Sequence, residues 1–252
     1  MKITYLRFYE ELNDFLPRDK WKKRFEHYFS GSSSVKDMIE SLGVPHGEVD
    51  MILANGKSVG LDYIVNENDD ISIYPVFESL DIKDVQHLRE KPLRDPKFIA
   101  DVHLGTLARY LRMLGFDTLY RNDYIAEELI QISIKETRTI LTKHICILKQ
   151  NRVTHGYYVR KIKPDKQAAE VLSRFSLEKS IKKFSRCLEC NSILRKIEKK
   201  NVIERLPEMV RTLQNEFYIC EGCDKIYWKG SHFEKMNRTI KDIISIIRHP
   251  MF

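Results

Sequence analysis

The sequence predicts an α/β protein in three parts. These are a small β-grasp domain, a parallel sheet with flanking helices, and a zinc ribbon. Three observations carry the prediction: an Asn55-Gly56 hairpin among short strands at the N-terminus, alternating strand and helix patterns through the middle, and two Cys-x-x-Cys pairs near the C-terminus.

The first part covers residues 1–80. KITYLRFY, residues 2–9, reads as a strand. SSSVKDMIESLGV then supplies an N-capping serine run, apolar positions Val35, Met38, Ile39 and Leu42, and a terminating Gly43. VDMILANGKSV forms a hairpin, and DISIYPVF closes the segment as another strand. Strand, long excursion, helix, hairpin and strand suit a β-grasp fold, although any small α+β module fits the same order.

Residues 81–96 are charged and carry two prolines, so they are assigned as a linker. The second part spans 97–180. Phe98-Ile99-Ala100 is a short apolar strand ending in Asp101. Leu104, Leu107, Ala108, Leu111 and Leu114 share one helical face, and Gly115 stops the helix. Asp117–Tyr120 is a second strand, and Ile125, Leu129, Ile130 and Ile132 mark a second helix. Thr139-Ile140-Leu141 is a third strand, GYYVR a fourth, and PDKQAAEVLSRF a helix with Pro164 near its start. Repeated strand–helix units imply parallel pairing.

The third part, 181–237, is basic and short of core residues. A stripe of Ile240, Ile243, Ile244 and Ile247 gives a C-terminal helix over 238–252 that either packs on the protein's own core or serves as an interaction helix.

Length and composition set bounds. The chain has 252 residues, 42% hydrophobic and 31% charged, a globular balance. The net charge is +7, which favours an anionic partner without requiring one. Without a long apolar run there is no membrane partner, and the cysteine pattern does not resemble a secreted disulfide framework. A cytoplasmic protein is expected. Cys146 stands apart from the pairs and is expected to be buried.

Cys187, Cys190, Cys220 and Cys223 supply four thiolates, enough to fill a tetrahedral zinc shell. With no position left for water, that zinc is structural. The competing reading is two reduced pairs without metal. Around them, Lys182, Lys183, Arg186, Arg195, Lys196, Lys199, Lys200 and Lys229 can meet phosphates, and Tyr227 and Trp228 can stack on bases. A solvated basic face with a packed aromatic pair explains the same residues.

Metal-dependent phosphodiester chemistry needs carboxylates converging on hard cations such as magnesium or manganese. Asp101, past an apolar strand, is the best single candidate; capping the next helix is its other reading. Asp117 suits a structural role. Asp123, Glu127 and Glu128 precede or open the next helix, as dipole partners or as site acids. Arg109 and Arg112 flank a helix face and can reach phosphates or remain solvated, and Lys143 lies beside His144 just past a strand.

In order along the chain, KFIADVHLGTLARYLRMLGFDTLYRND, RTILTKH, THGYYVR, FSRCLECNSIL and CEGCDKIYWKGSHFEKM resemble the Mut-seven C-terminal RNase family over about residues 97–237. VKDMIESLGVPHGEVDMILANGKSVGLDYIV and DDISIYPVFE resemble the ubiquitin-like domain fused to such nucleases in some bacteria. Sulfur-carrier relatives of that domain end in Gly-Gly; here Pro75-Val76-Phe77-Glu78 runs on, which speaks against carrier activity. The resemblance implies a PIN-like nuclease domain, an acid-lined divalent-metal RNase site and RNA as substrate. It also leaves room for a protein partner at the N-terminal domain.

Asp101 matches the first acid of the family pattern. The family's next two acids fall on Ala126 and His144. A histidine offers a neutral nitrogen suited to manganese, zinc or iron, or a general base near neutral pH. The resemblance therefore implies a ribonuclease with a reduced acid set or, alternatively, a non-cutting RNA- or protein-binding module. Ser231 and His232 match a further family segment, where His232 braces the ribbon or faces RNA.

Overall fold

A computed structural model describes residues 1–75 and 96–249. Apart from Pro96, the assigned linker lies outside the described residues, as do Val76, Phe77 and Glu78.

The N-terminal segment contains β1 (Lys2–Phe8), β2 (Phe25–Phe29), α1 (Val35–Ser41), β3 (Val49–Ala54), β4 (Lys57–Val59) and β5 (Asp70–Pro75). The α/β segment follows with β6 (Lys97–Ala100), α2 (Gly105–Leu114), β7 (Thr118–Leu119), α3 (Ala126–Glu136), β8 (Arg138–Thr142), α4 (Ile145–Leu148), β9 (Gly156–Tyr158) and α5 (Pro164–Arg174). The cysteine-bearing segment adds β10 (Leu194–Ile197), α6 (Glu208–Leu213), β11 (Phe217–Cys220), β12 (Ile226–Trp228) and α7 (Ser231–Arg248). Among the described residues, no helix is long and apolar enough to cross a membrane.

Contacts divide the chain into two compact units, Met1–Asp95 with Ile130–Tyr158, and Pro96–Leu129 with Val159–Phe252. In the first unit, the N-terminal strands form a mixed sheet in the order β2-β1-β5-β3-β4. β1 pairs parallel with β5, and the other neighbours are antiparallel. Leu6, Phe8, Ile52, Ile71 and Ile73 point into one core with Val35, Met38 and Ile39 of α1. Ser34 caps α1 by accepting from the Asp37 amide at 3.1 Å. Asn55 and Gly56 both have positive φ, 51° and 78°, as a two-residue type I′ hairpin requires.

The same unit contains β8 and β9, paired parallel with Leu141 opposite Tyr157. All five residues of β8 are buried. The buried Glu48 carboxylate accepts the Tyr158 amide, and Lys36 donates to Asn151 Oδ1 at 2.7 Å. Cys146, expected in the interior, is exposed. In the short α4 it is Ile147 and Leu148 that turn inward.

In the second unit, β6 and β7 pair parallel, with Phe98 opposite Thr118. Phe98, Ile99 and Ala100 are buried, as are all five residues expected on the α2 face or just before it. Gly115 ends α2 with φ at 100°, in the left-handed region. β10, β11 and β12 form an antiparallel sheet. α7 packs against α5, burying Ile240 and Ile243, so the isoleucine stripe serves the protein's own core. This helix begins at Ser231, ahead of the expected start at 238.

Candidate metal centre and nuclease-type site

Each cysteine pair sits on a turn built in the same way. The Asn191 amide donates to the Cys187 carbonyl at 3.1 Å, and the Asp224 amide donates to the Cys220 carbonyl at 2.8 Å. Asn191 and Asp224 each follow the second cysteine and have positive φ, 73° and 58°. Asn and Asp tolerate that left-handed conformation better than most residues. Gly222 is required for a different reason, close approach. A Cβ there would run into the Ser192 hydroxyl and come within 3.2 Å of Cys190 Sγ.

The two turns bring four sulfurs together, all within 4.8 Å of one another. Cys187 and Cys223 are 3.6 Å apart, Cys190 and Cys220 3.2 Å. Sulfurs at zinc-bonding distance around one tetrahedral ion are about 3.8 Å apart. The donor set fits such an ion, and these four cysteines can hold a metal such as zinc. Burial raises the Cys190 thiol, but hydrogen bonds involving Ser192, Cys220 and Cys187 outweigh it and bring it down to about 6.

The surrounding residues serve this centre more than the solvent. Arg112, expected to be able to reach phosphates, is 4% exposed. Its guanidinium donates to the Leu188 and Glu189 carbonyls at 3.1 and 2.7 Å, and to the Thr118 carbonyl at 2.8 Å. Burial lowers the Arg112 pKa, offset by Cys187, Cys190 and Glu189. Asn191, unremarked in the sequence, accepts from the Thr118 amide and donates to Asp117. Arg186 is likewise turned inward, donating to the Gly115 and Asn191 carbonyls and facing Asp117 at 3.5 Å. Tyr227 meets Cys187 Sγ at 3.1 Å, so its hydroxyl is committed to the metal site. Lys229 is paired with Glu216.

The acidic candidates are placed as follows. Asp101 follows β6 directly and is 1% exposed. Its Oδ1 accepts from the His103 amide at 2.9 Å, capping the turn that leads into α2. Asp123 is gripped by both arms of Arg121, at 2.8 and 3.0 Å. That hydrogen bond holds its carboxyl below the usual range. Glu128 accepts from the Ile125 amide at 3.2 Å and lies 3.9 Å from Arg121. It thus closes the start of α3 in the manner of a capping box. Glu127 is exposed in the first turn of the same helix. In the other unit, His144 is exposed at the start of α4, and its amide donates to Thr142 Oγ1. Lys143, beside it, is half-buried.

Three residues expected at RNA do come together. Arg109 of α2, Trp228 of β12 and His232 of α7 line one cleft of about 690 Å³. Lys235 lines it too. Its spacing of three from His232 on α7 is the signal that could have found it.

Residues 96–240 match the Mut7-C RNAse domain family, and residues 1–81 match the Mut7-C ubiquitin family. A crystal structure of the H. volcanii small archaeal modifier protein 1 is similar to part of the chain. It covers 31% of this chain and 100% of its own, at 14% identity and a TM-score of 0.25. No curated protein matches. The RNase-domain match takes in more than half the chain, with the four cysteines, the cleft and Asp101 all inside it: the chain belongs to the Mut7-C RNAse domain family.

Proposed function

We propose that the protein is a ribonuclease that hydrolyses RNA phosphodiesters at a site centred on Asp101, with the four cysteines holding a structural zinc. The observation that carries this reading is the place of Asp101. It is a buried carboxylate at the carboxyl end of a parallel strand, inside a segment that matches an RNase domain family. Strand ends of this kind are where open α/β sheets bind ligands.

A divalent cation, when bound, would supply charge for the developing phosphorane and an activated water. Asp101 would hold it, with Glu127, next to the alanine at position 126, as a supporting acid. The donor set is lean, because Asp123 and Glu128 are engaged by Arg121 and position 126 is alanine. The resemblance assigns an acid to position 144, where this chain has histidine. The protein's own contribution at Asp101 is orientation, since the His103 amide fixes the carboxylate.

The test is cleavage of single-stranded and structured RNA in magnesium or manganese, with Asp101→Asn beside the wild type. Asn keeps the cap, so folding is preserved. The expected result is metal-dependent cleavage and a loss of about 100-fold in the variant, on the order of 3 kcal/mol of barrier. No cleavage by the wild type, or equal cleavage by both, overturns the reading.

The engagement of Asp123 and Glu128 by Arg121 favours a second reading, an RNA-binding module that does not cut. Its signature is RNA bound and released intact in either metal.

A further inference from the structure

We infer that the cleft between α2, β12 and α7 is a docking site for unpaired RNA, with a base stacked on Trp228 and its phosphate between Arg109 and Lys235. The inference rests on the ribonuclease reading and adds where the substrate is held.

Size is the first support. At about 690 Å³ the cleft falls within the range of ligand sites, ~300–1,000 Å³. The second is the stacking surface. Trp228 is half-buried, fixed by strand pairing with Phe217 and packed on the small core of Val202, Leu206 and Phe217. Gly230 keeps the indole clear, since a Cβ there would meet Trp228 Nε1 at 3.1 Å. An aromatic ring held rigidly at a cleft is a platform on which any unpaired base can stack.

Charge is the third support, and it selects the occupant. Most cations in this part of the chain are spent internally. Arg112 is buried, Arg186 faces Asp117, Lys229 is paired with Glu216, and Lys225 holds Glu189. Among the described residues, Arg109 and Lys235 form no ion pair, and both are exposed on the cleft. Glu189 also lines the cleft and is attracted to Arg109, but its carboxylate is held by Lys225 at 3.1 Å. Two cations outside any direct ion pair, beside a fixed aromatic ring, match a nucleotide, which carries an anion and a planar face on one unit. An acidic peptide offers the anion without the plane. A duplex keeps its bases stacked inside and cannot deliver one to Trp228.

The test measures binding and not cleavage. A fluorescein-labelled single-stranded 2′-O-methyl oligoribonucleotide is titrated with the full chain and read by anisotropy. Arg109→Ala/Lys235→Ala is expected to weaken binding at least 10-fold and to lower the log–log salt slope by about 0.7, the value for the one phosphate the two share. Trp228→Ala is expected to lose on the order of 10-fold, from ~1–3 kcal/mol per stacked base, and Trp228→Phe to retain most affinity. Trp228 also packs on its own core, so the surface charge variant keeps the test decisive if Trp228→Ala fails to fold. Unchanged affinity in that variant, equal binding of a duplex, or equal competition by poly-glutamate overturns the inference. The titration is run without added divalent cation, so metal-dependent hydrolysis does not consume the oligonucleotide; a chain that never cuts still passes, and a failure here leaves the Asp101→Asn comparison intact.

Discussion

The N-terminal sheet and the cysteine-bearing segment are both small, and they are held together by different means. The first buries a continuous apolar core from β1, β3, β5 and α1. The second has Val202, Leu206 and Phe217 as its buried cluster, together with four gathered sulfurs and a web of hydrogen bonds around them. A domain with too little apolar surface to offset chain entropy needs a covalent or metal staple. The difference shows that two segments of one chain can reach order by separate routes, so each should fail under a separate insult.

Metal removal should produce the largest effect. Structural zinc in small domains contributes apparent binding energies of ~10–16 kcal/mol near neutral pH. Metal analysis is expected to find one zinc per chain. Stripping it with a strong chelator should disorder β10–β12, seen as loss of amide protection there, while β1–β5 stay protected. Protection retained in β10–β12 after zinc is gone would break the contrast, because the segment would then stand on its own packing.

The next effect is smaller and sits where the first cysteine turn meets the α/β elements of the same unit. Replacing Arg112 with Met leaves the Leu188, Glu189 and Thr118 carbonyls without their donor. Hydrogen bonds to charged groups contribute ~1.5–3 kcal/mol each and do not add fully, so a loss of about 3 kcal/mol is expected in denaturant unfolding. Zinc should also leave faster, since Arg112 offsets the negative thiolates. Arg112→Lys should rescue little, because a single ammonium cannot reproduce the planar fork. A variant as stable as wild type, with zinc held as long, would mean that the cysteine turns and α2 are energetically separate.

The same contrast explains what could be read in the sequence. In the N-terminal sheet, local signals matched local structure: Ser34 before α1, Asn55-Gly56 at a hairpin, Gly43 after the helix. β2 escaped notice because Phe25-Glu-His-Tyr-Phe29 follows a basic stretch and lies at the edge of the sheet, buried at Phe29 alone. In the cysteine-bearing segment the four cysteines were legible from spacing, and the residues that position them were not. Arg112 reads as a helix-surface cation, but two of its three acceptors lie 76 and 77 positions away. Asn191 and Arg186 are engaged across similar spans. The acids were legible as residue types only. That Arg121 would claim Asp123 and Glu128, leaving Asp101 as a buried carboxylate elsewhere, depends on geometry that no local pattern encodes.

The smallest effect belongs to the N-terminal sheet. Ser34 Oγ accepts from the Asp37 amide at 3.1 Å and donates to the Asp37 carboxylate at 2.6 Å. Removing such a cap costs about 1 kcal/mol, since one helix-end amide loses its partner to solvent and little else changes. Ser34→Ala should therefore lower the stability of the N-terminal sheet by that amount and leave zinc content untouched. The logic is that a core built from many apolar side chains spreads its stability widely, so no single local device dominates it. A loss well above 2 kcal/mol would show that α1 is held mainly by its cap. The N-terminal sheet would then depend on a few polar contacts as the cysteine-bearing segment does, and the two routes to order would not be distinct.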